Sequence, residues 1–453
     1  MSQAGAIDVG ALINGRKIGR GQIAVIVWCV LLFLSDGYDF GVLGNIAPAI
    51  LADWHSSRAA FGFVVSIGVI GLLVGSLVFG PLADRIGRRK VIILSGFIFG
   101  AFTFASAFAT NLQELAALRF LAGLGIGGTN PNILAYVAET VPERRRAFSI
   151  AIALLGGFTG GIALGSYVIS KLLAAYDWHV VLYVGGIVPI VTALLLIAFL
   201  PDTAMQLAQR GENAKAAKLL TRFFPGTPFS PDATYFVSDG PPPKFPVAAL
   251  FSRENLPATC TLWFGGIMNG IVIFFLGSWL PTLVHESGLS VSQGAQANAL
   301  NQVGGIAGGL AVTPMLDRFG PISIVVPFLL AVPAIVVLGL TGHDASNIMI
   351  MALVVGVCVV GAQTAQGALQ AIVYPTALRS TGAGWAIGIQ RIGGIIAPSL
   401  FGVLIARAVP QPTLFAIAAI PELLAAIGYA IFAYSRRGKG RGWSASAPAT
   451  ETA

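Results

Sequence analysis

Two aspartates lie three residues apart in a strongly apolar stretch, FLSDGYDFGVLG, which runs from Phe33 to Gly44. Three residues leave about 60° between two side chains on a helix, so Asp36 and Asp39 can face one side. Burial disfavours the charged form of a carboxyl group, which suits a site that must bind and release a proton. We expect one of the two to carry a proton. The alternative is a pair of interfacial aspartates near the outer end of a long helix.

The chain around these aspartates has the composition of a membrane protein. Of its 453 residues, 56% are hydrophobic and 10% are charged, whereas soluble domains contain roughly 25% charged residues. The apolar residues form blocks of about 20, long enough to cross a bilayer core of roughly 30 Å. We predict twelve spans at 22–45, 59–80, 90–110, 113–137, 147–170, 178–200, 258–283, 294–315, 321–341, 347–372, 380–406 and 411–434.

The basic residues are distributed unevenly between the two sides of these spans. Of 27 Lys and Arg, 22 lie in the N-terminal tail, the even-numbered loops and the C-terminal tail. Arg58, Lys171 and Arg407 fall on the other side, and Arg119 and Arg391 lie within spans. The positive-inside rule therefore predicts that both termini are cytoplasmic. This placement accounts for the net charge of +8 without a nucleic-acid partner.

No motif for an enzyme, a metal or a nucleotide is found in the sequence. Cys29, Cys260 and Cys358 lie in predicted spans without paired spacing, and the four histidines are scattered on the predicted outer side. GLGIGG at 123–128 fits a dinucleotide fingerprint, but it lies within a span and follows no strand. We expect no cofactor, no metal and no catalytic activity.

The two parts of the chain repeat at an offset of 233 residues. LADRIGR at 82–88 aligns with MLDRFGP at 315–321, and VPERRRA at 141–147 aligns with YPTALRS. Asp36 meets Asn269 at the same offset, so we infer two six-span repeats. The predicted domains are a cytoplasmic tail at 1–21, a first half at 22–200, a cytoplasmic linker at 201–257, a second half at 258–434 and a cytoplasmic tail at 435–453.

Several motifs resemble those of a known transporter family. GPLADRIGRRK resembles the signature between spans 2 and 3 of the major facilitator superfamily. DGYD, LRFLAGLGIGGTNPN, AETVPER and YPTALRSTGAGWAIGIQRIGGIIAP together resemble the aromatic acid:proton symporters, bacterial importers of benzoate-like acids. The resemblance implies an all-α membrane protein with twelve transmembrane helices in two six-helix, pseudo-symmetric halves, and a ligand site between the halves. It further implies a monomer of the bacterial inner membrane that takes up a small aromatic carboxylate with protons by alternating access.

Two arginines within predicted spans are candidates for this function. In related proton-coupled porters a first-span aspartate pairs with a fourth-span arginine, and Arg119 has the corresponding position. Its alternative is an interfacial arginine that snorkels. Arg391 lies near the middle of span 11, and its planar guanidinium suits the carboxylate of a substrate. Its alternative is a buried structural pair with an acid.

Polar and aromatic residues in otherwise apolar spans complete the predicted substrate site. Amide side chains that faced lipid would lack hydrogen-bond partners, so we expect them to line a cavity. Aromatic rings can stack on a benzene ring, although ordinary packing or a position in the interfacial belt is the commoner role. The candidates besides Arg391 are Tyr38, Asn130, Gln302, Gln363, Gln366, Trp279 and Trp385.

A third group of charges lies at the predicted cytoplasmic ends of spans. We expect these charges to form a gate that closes the inner face in one state and opens it in the other. The alternative is a set of charges that only establish topology and form surface pairs. The candidates are Asp84, Arg85, Arg88, Glu139, Arg144, Arg146, Asp317, Arg318 and Arg379.

Two other functions remain open at this point. The same fold could export organic acids or drugs in exchange for protons. A membrane sensor that binds its ligand without transporting it is a second alternative, although it has no need for two buried aspartates and two buried arginines.

Overall fold

The structure, a computed structural model, describes residues 6–238, 246–374 and 378–437 and is almost entirely helical. Helices suit an apolar chain in lipid because each backbone N–H and C=O is then satisfied within its own segment. The helices are α1 (Val9–Asn14), α2 (Arg20–Asp53), α3 (Arg58–Ile86), α4 (Arg88–Ser106), α5 (Leu112–Thr140), α6 (Glu143–Ala151), α7 (Gly160–Ala175), α8 (Trp178–Phe199), α9 (Ala204–Gln209), α10 (Asn213–Phe223), α11 (Pro246–Leu250), α12 (Leu256–Glu286), α13 (Val291–Phe319), α14 (Ile322–Leu340), α15 (Ala345–Val373), α16 (Arg379–Ala406) and α17 (Gln411–Arg437). A π-helical segment, Ile152–Thr159, joins α6 to α7.

Ten helical stretches in the described part of the chain are long and apolar enough to cross a membrane. They coincide with ten of the twelve predicted spans. The other two predicted spans, 113–137 and 294–315, lie on α5 and α13, which have 29 residues each. Both helices are rich in glycine and asparagine and do not reach the same apolarity. Such a composition is expected of helices that pack against protein on most sides.

The turns at the repeat-related motifs each contain a glycine with a positive φ angle. Gly87 separates α3 from α4 with a φ of 109°, and Gly320 separates α13 from α14 with a φ of 65°. Both angles lie in the left-handed region that glycine adopts at little cost. The two residues are 233 positions apart, so the sequence repeat places a glycine with positive φ at both turns.

The chain forms two compact units. The first unit comprises Met1–Phe40, Ile70–Ile162 and His179–Pro242, and the second comprises Gly41–Val69, Ala163–Trp178 and Pro243–Ala453. In the first unit α4 packs along α5; in the second, α13 packs along α15, α12 along α16, and α14 along α17. The second unit therefore includes segments from both sequence repeats, because the ends of α2 and α7 and the start of α3 belong to it.

A small folded layer in the first unit joins the N-terminal segment to the linker. β1 (Ile7–Asp8) pairs in parallel with β2 (Tyr235–Phe236). Val9 and Ile13 of α1 share one apolar core with Leu220 and Phe223 of α10. The linker contains two short helices, α9 and α10, and the chain turns between them at Gly211, which has a φ of 70°.

Candidate functional site

Asp39 and Arg119 form a buried ion pair between α2 and α5. The two terminal nitrogens of Arg119 each contact a different carboxylate oxygen of Asp39, and the Nη1–Oδ1 distance is 3.0 Å. Thr103 of α4 donates a further hydrogen bond of 3.0 Å to Asp39 Oδ1. Asp39 is 2% exposed and Arg119 is 5% exposed. This bidentate arrangement pairs the two charges away from water, and Arg119 Nε is left without a hydrogen-bond partner among the described residues.

Asp36 lies one helical turn away in a different environment. Its side chain is 0% exposed, and Thr129 of α5 donates a hydrogen bond of 2.6 Å to its Oδ2 atom. Its Oδ1 atom has no hydrogen-bond partner among the described residues. The Thr129 hydroxyl also lies 2.9 Å from the Ile126 carbonyl oxygen, although it has a single proton to donate. The two aspartates of the sequence motif therefore differ: Asp39 is paired with a cation, whereas Asp36 has only a neutral donor.

Gly37, between the two aspartates, brings α2 into backbone contact with the π-helical segment. A Cβ atom on Gly37 would lie 2.2 Å from the carbonyl oxygen of Phe158, so a larger residue does not fit. Tyr38 turns away from this contact and donates a hydrogen bond of 2.9 Å to the Val181 carbonyl oxygen of α8. Interruptions of this π-helical kind are frequent at functional sites.

A second polar group lies in the second unit around Gly266 of α12. A Cβ atom built on Gly266 would lie 3.1 Å from Gln366 Nε2 and 3.7 Å from Gln390 Cβ, so α15 and α16 both approach this point. Gln366 Oε1 and Gln390 Nε2 are buried without a hydrogen-bond partner among the described residues. An acceptor on α15 and a donor on α16 are therefore unpartnered within the described residues. Gln363, one turn before Gln366, is half-buried.

Aromatic rings and Arg391 lie on the same helices. Trp263 of α12 stacks on Trp385 of α16 with ring centroids 6.0 Å apart and an interplanar angle of 19°. Arg391 of α16 is half-buried and follows Gln390 directly. Trp279 is 0% exposed, and its indole N–H donates a hydrogen bond of 3.0 Å to the Pro398 carbonyl oxygen. Its surroundings are those of a packed structural residue.

Two predicted amide residues remain, one in each unit. Asn130 of α5 is half-buried, and its Oδ1 atom has no hydrogen-bond partner in the described part of the chain. Gln302 of α13 is 5% exposed and donates a hydrogen bond of 3.5 Å to Asn301.

Several predicted gate residues form a network within the first unit. Arg88 of α4 contacts Glu139 of α5 at 2.5 Å and Asp84 of α3 at 3.5 Å. Thr203, just before α9, donates a hydrogen bond of 2.8 Å to the other oxygen of Glu139. Arg88 therefore connects two helices through a carboxylate that the linker also contacts.

The other gate candidates make weaker or different contacts. Arg144 and Arg146 donate hydrogen bonds to the carbonyl oxygens of Arg16 and Ala138, and the carbonyl oxygen of Arg85 accepts one from Arg210. Arg318 lies over the ring of Phe319. The side chains of Asp317 and Arg379 lie outside the residues that the structure describes.

One buried acid was missed in reading the sequence. Glu422 of α17 is 0% exposed, and its Oε1 atom accepts a hydrogen bond of 3.0 Å from Asn269 of α12. The rule that drew attention to Asp36 also applies here, since Glu422 is an ionisable residue inside a predicted span. The partners Thr103 and Thr129 carried no such signal, because threonine is common in apolar helices.

A third set of contacts lies at the end of the second unit that contains residues 53–58 and 285–290, here called the distal end. Arg58 of α3 forms an ion pair of 2.5 Å with Glu286 of α12. In the same unit, Asn45 of α2 and Asn298 of α13 both donate hydrogen bonds to the Ser166 hydroxyl oxygen of α7, at 2.9 and 3.3 Å. Polar contacts at the distal end thus connect helices of both sequence repeats.

No group of three or more His, Cys, Asp or Glu side chains within the described residues is arranged to hold a metal ion. Arginine, amide and carboxyl side chains such as these can in general bind a carboxylate, hydroxyl groups and protons, respectively.

Comparison with known proteins places the chain in a family. The model of the major facilitator superfamily matches residues 29–398. The gallate transporter of Pseudomonas putida is 37% identical over 430 residues, which cover 93% of this chain and 94% of that protein. The 4-hydroxybenzoate transporter of Acinetobacter baylyi is 35% identical and covers 96% of this chain and 95% of its own length.

Solved structures share the fold at much lower sequence identity. An inward-facing, occupied bacterial homolog of the human lysosomal transporter Spinster has a TM-score of 0.71 at 17% identity and covers 91% of this chain and 96% of its own. The inward-open xylose transporter of Escherichia coli has a TM-score of 0.70 at 15% identity, with 93% and 98% covered. The protein is therefore a multi-pass transporter of the bacterial inner membrane, and not an enzyme. The chain belongs to the major facilitator superfamily and, within it, resembles the aromatic acid transporters.

Proposed function

We propose that this protein imports an aromatic hydroxycarboxylic acid together with protons. Relatives named as gallate and 4-hydroxybenzoate transporters are 35% to 37% identical to it over most of both chains. Both named substrates combine a benzene ring, a carboxylate and at least one phenolic hydroxyl. A site for such a molecule needs a cation, a flat apolar surface and neutral hydrogen-bonding groups.

The difference between the partners of Asp36 and Asp39 is the observation that supports proton coupling. Asp39 cannot take up a proton without weakening its ion pair with Arg119, whereas Asp36 has no cationic partner to lose. If Asp36 Oδ2 carries a proton, it donates to Thr129 Oγ1, which is then free to donate to the Ile126 carbonyl oxygen. Protonation of Asp36 thus resolves the competition for the single hydroxyl proton. We assign Asp36 as the proton carrier and Asp39 with Arg119 as the pair that positions it.

The second unit supplies the groups that suit the substrate. Arg391 offers a guanidinium for the carboxylate. Gln366 Oε1 accepts and Gln390 Nε2 donates, so the two amides can bind ring hydroxyls. Trp385, stacked on Trp263, offers an aromatic face for the ring. Gln363 is a further polar candidate in this unit, Asn130 is a candidate in the first unit, and Tyr38 supports α2 through its hydrogen bond to α8.

The transport cycle is one of alternating access between two six-helix halves. We propose that α5 and α13 are also transmembrane, which gives twelve spans with both termini in the cytoplasm and the distal end outside. The closed distal end suits a state in which the substrate site communicates with the cytoplasm. The network of Arg88, Glu139 and Asp84 would then rearrange when the cytoplasmic side closes.

Uptake into proteoliposomes tests this proposal. Labelled gallate, 4-hydroxybenzoate, benzoate and a control sugar are offered with and without an inward proton gradient. We expect accumulation of at least one hydroxybenzoate, but not of the sugar, only when the gradient is present. Acid efflux driven by the same gradient would make the protein an exporter. Specific binding without any flux would make it a sensor, and either result would overturn the import proposal.

The role of Arg391 is tested separately. Lysine keeps the charge but loses the bidentate fork, so Arg391→Lys should weaken binding of 4-hydroxybenzoate about tenfold or more. Arg407→Lys is the matched control, because Arg407 is exposed just after the same helix. Equal affinities in the two variants would remove Arg391 from the site.

A further inference from the structure

Glu422 lies in an environment that resembles that of Asp36. Each carboxyl group is 0% exposed, and each accepts one hydrogen bond from a neutral side chain: Asp36 from Thr129, and Glu422 from Asn269. In each, the second oxygen has no partner among the described residues, Oδ1 in Asp36 and Oε2 in Glu422. Among the described residues, Asp36 in the first unit and Glu422 in the second are therefore buried carboxyl groups that form no ion pair.

The sequence repeat relates the two sites directly. Asn269 is the residue that aligns with Asp36 at the offset of 233. In the first unit the residue at this position is itself the acid, Asp36. In the second unit the residue at this position is Asn269, whose amide donates a hydrogen bond to the carboxyl group of Glu422 on α17. Both repeats thus place an acid at the same level of their first helix.

The groups around Glu422 explain why it can exchange a proton without breaking an ion pair. Three groups from different helices lie near Glu422. They are the amide of Asn269 on α12, Cys358 on α15, and Tyr429 on α17 itself, two helical turns after Glu422. α14, which packs along α17, contains no titratable residue. α16 carries Arg391 as its only charged residue between its ends, and that residue belongs to the proposed substrate site.

Asn269 also connects Glu422 to the proposed substrate site. It lies one helical turn from Gly266, the position that Gln366 and Gln390 approach. Its amide donates both to Glu422 Oε1 and, at 3.3 Å, to the Val359 carbonyl oxygen of α15. Loss of a proton from Glu422 creates an anion that attracts this amide more strongly. The helix that lines the substrate site therefore responds to the protonation of Glu422.

We propose that Glu422 is a second proton-binding site and that its proton is transported in each cycle. This inference rests on the proposed import of an acid anion. A monoanion entering a negative interior is opposed by about 2.3 kcal/mol per 100 mV. One proton, on Asp36, makes the cycle electroneutral; a second, on Glu422, gives a net inward movement of one positive charge. The membrane potential then drives uptake.

The first test measures uptake of 4-hydroxybenzoate driven by a potassium diffusion potential, negative inside, at equal pH on both sides. Wild-type protein and the control Asp344→Asn, which changes an exposed helix-capping carboxylate in the same half, should accumulate the acid. Glu422→Gln should lose potential-driven uptake at least tenfold but keep uptake driven by a pH gradient. Potential-driven uptake by Glu422→Gln at the wild-type rate, or its absence in the wild type, would overturn the proposal.

The second test does not require transport, and it separates this proposal from the proposed function. Infrared difference spectra of the purified protein are recorded between about pH 5 and about pH 9. We expect the carbonyl stretch of a protonated carboxylic acid that is lost at high pH and is absent in Glu422→Gln. Should that variant fail to fold, Asn269→Ala must shift the same band, because it removes the hydrogen bond to the carboxyl group. A spectrum without a band assignable to Glu422 would overturn the proposal even if the acid is transported.

Discussion

Arg119 and Asp39 hold each other through two parallel contacts in a region with almost no access to solvent. Removing one partner of such a pair leaves a buried charge, which costs about 3–5 kcal/mol. We therefore expect Asp39→Asn and Arg119→Gln each to lower the thermal stability strongly. The double variant, in which both groups are neutral, should be more stable than either single variant. Thermal unfolding of the four purified proteins in one detergent measures this double-mutant cycle, and additive effects would contradict the paired arrangement.

Asp36→Asn should retain exchange of the substrate across the membrane but lose its proton-driven accumulation. Asparagine resembles the protonated carboxyl group in shape and charge, so the variant can still alternate with bound substrate but cannot load and release the proton. We expect exchange of labelled for unlabelled 4-hydroxybenzoate at more than about half the wild-type rate, and proton-driven accumulation reduced by about a hundredfold. Asp39→Asn should lose both activities, because it breaks the pair with Arg119. Normal accumulation in Asp36→Asn would assign the proton to another group.

The sequence predicted the helices and the ionisable residues buried in them more completely than it predicted the hydrogen-bond and ion-pair partners of those residues. Apolar blocks and the rule for ionisable residues in spans were sufficient to single out Asp36, Asp39 and Arg119. A helical spacing of three shows only that both aspartates share a face. Which of them pairs with Arg119 depends on the rotation of α2 against α5, and that is determined by contacts such as the close approach at Gly37.

Other features have no signal in a single sequence. β1 and β2 are two residues long and are separated by more than 200 residues, so no periodicity indicates their pairing. Trp279 was a candidate substrate contact because it is an aromatic residue in an apolar span. In the structure it packs against Phe61 and donates a hydrogen bond to the carbonyl oxygen of Pro398. Glu422 could have been found, because one acid inside an apolar span is as conspicuous as Asp36.

Gly37→Ala tests the close approach of α2 to the π-helical segment. An added methyl group would meet the Phe158 carbonyl oxygen, and backbone on both sides leaves little room to relax. We expect a loss of about 1–3 kcal/mol or more in stability together with impaired transport. Gly80→Ala is the control: Gly80 lies inside α3, and a Cβ atom there would have no neighbour within 4 Å. Its stability should equal or slightly exceed that of the wild type, since alanine favours helix. Equal stability of the two variants would show that the contact at Gly37 is not tight.

The attachment of the N-terminal segment should depend on pH. Asp8 caps α1 by accepting from Gly10 N–H, and it also accepts a hydrogen bond from Ser238. The Ser238 hydroxyl bond holds the pKa of Asp8 below its ordinary value. A depressed folded-state pKa means that the stabilisation is present above the unfolded-state pKa and is lost as the pH falls through the folded-state pKa. Hydrogen exchange of the Gly10 and Ala11 amides should therefore be faster in Asp8→Ala than in the wild type at neutral pH. The difference between the two proteins should disappear in acid, and a difference that persists at the lowest pH would contradict the role of the carboxylate.

A reversible cross-link at the distal end tests whether this end must open during transport. The hydroxyl oxygens of Ser66 in α3 and Ser399 in α16 are 2.8 Å apart, so cysteines at both positions can form a disulfide. The pair is introduced into a background in which Cys29, Cys260 and Cys358 are replaced by alanine. Because the two serines belong to different sequence repeats, a bond between them holds the halves together at this end. We expect oxidation to stop uptake of 4-hydroxybenzoate almost completely and reduction to restore it, whereas each single-cysteine variant should be insensitive to both treatments. If the cross-linked protein transports at the rate of the reduced protein, the contact between α3 and α16 persists through the cycle, and the distal end is not a gate.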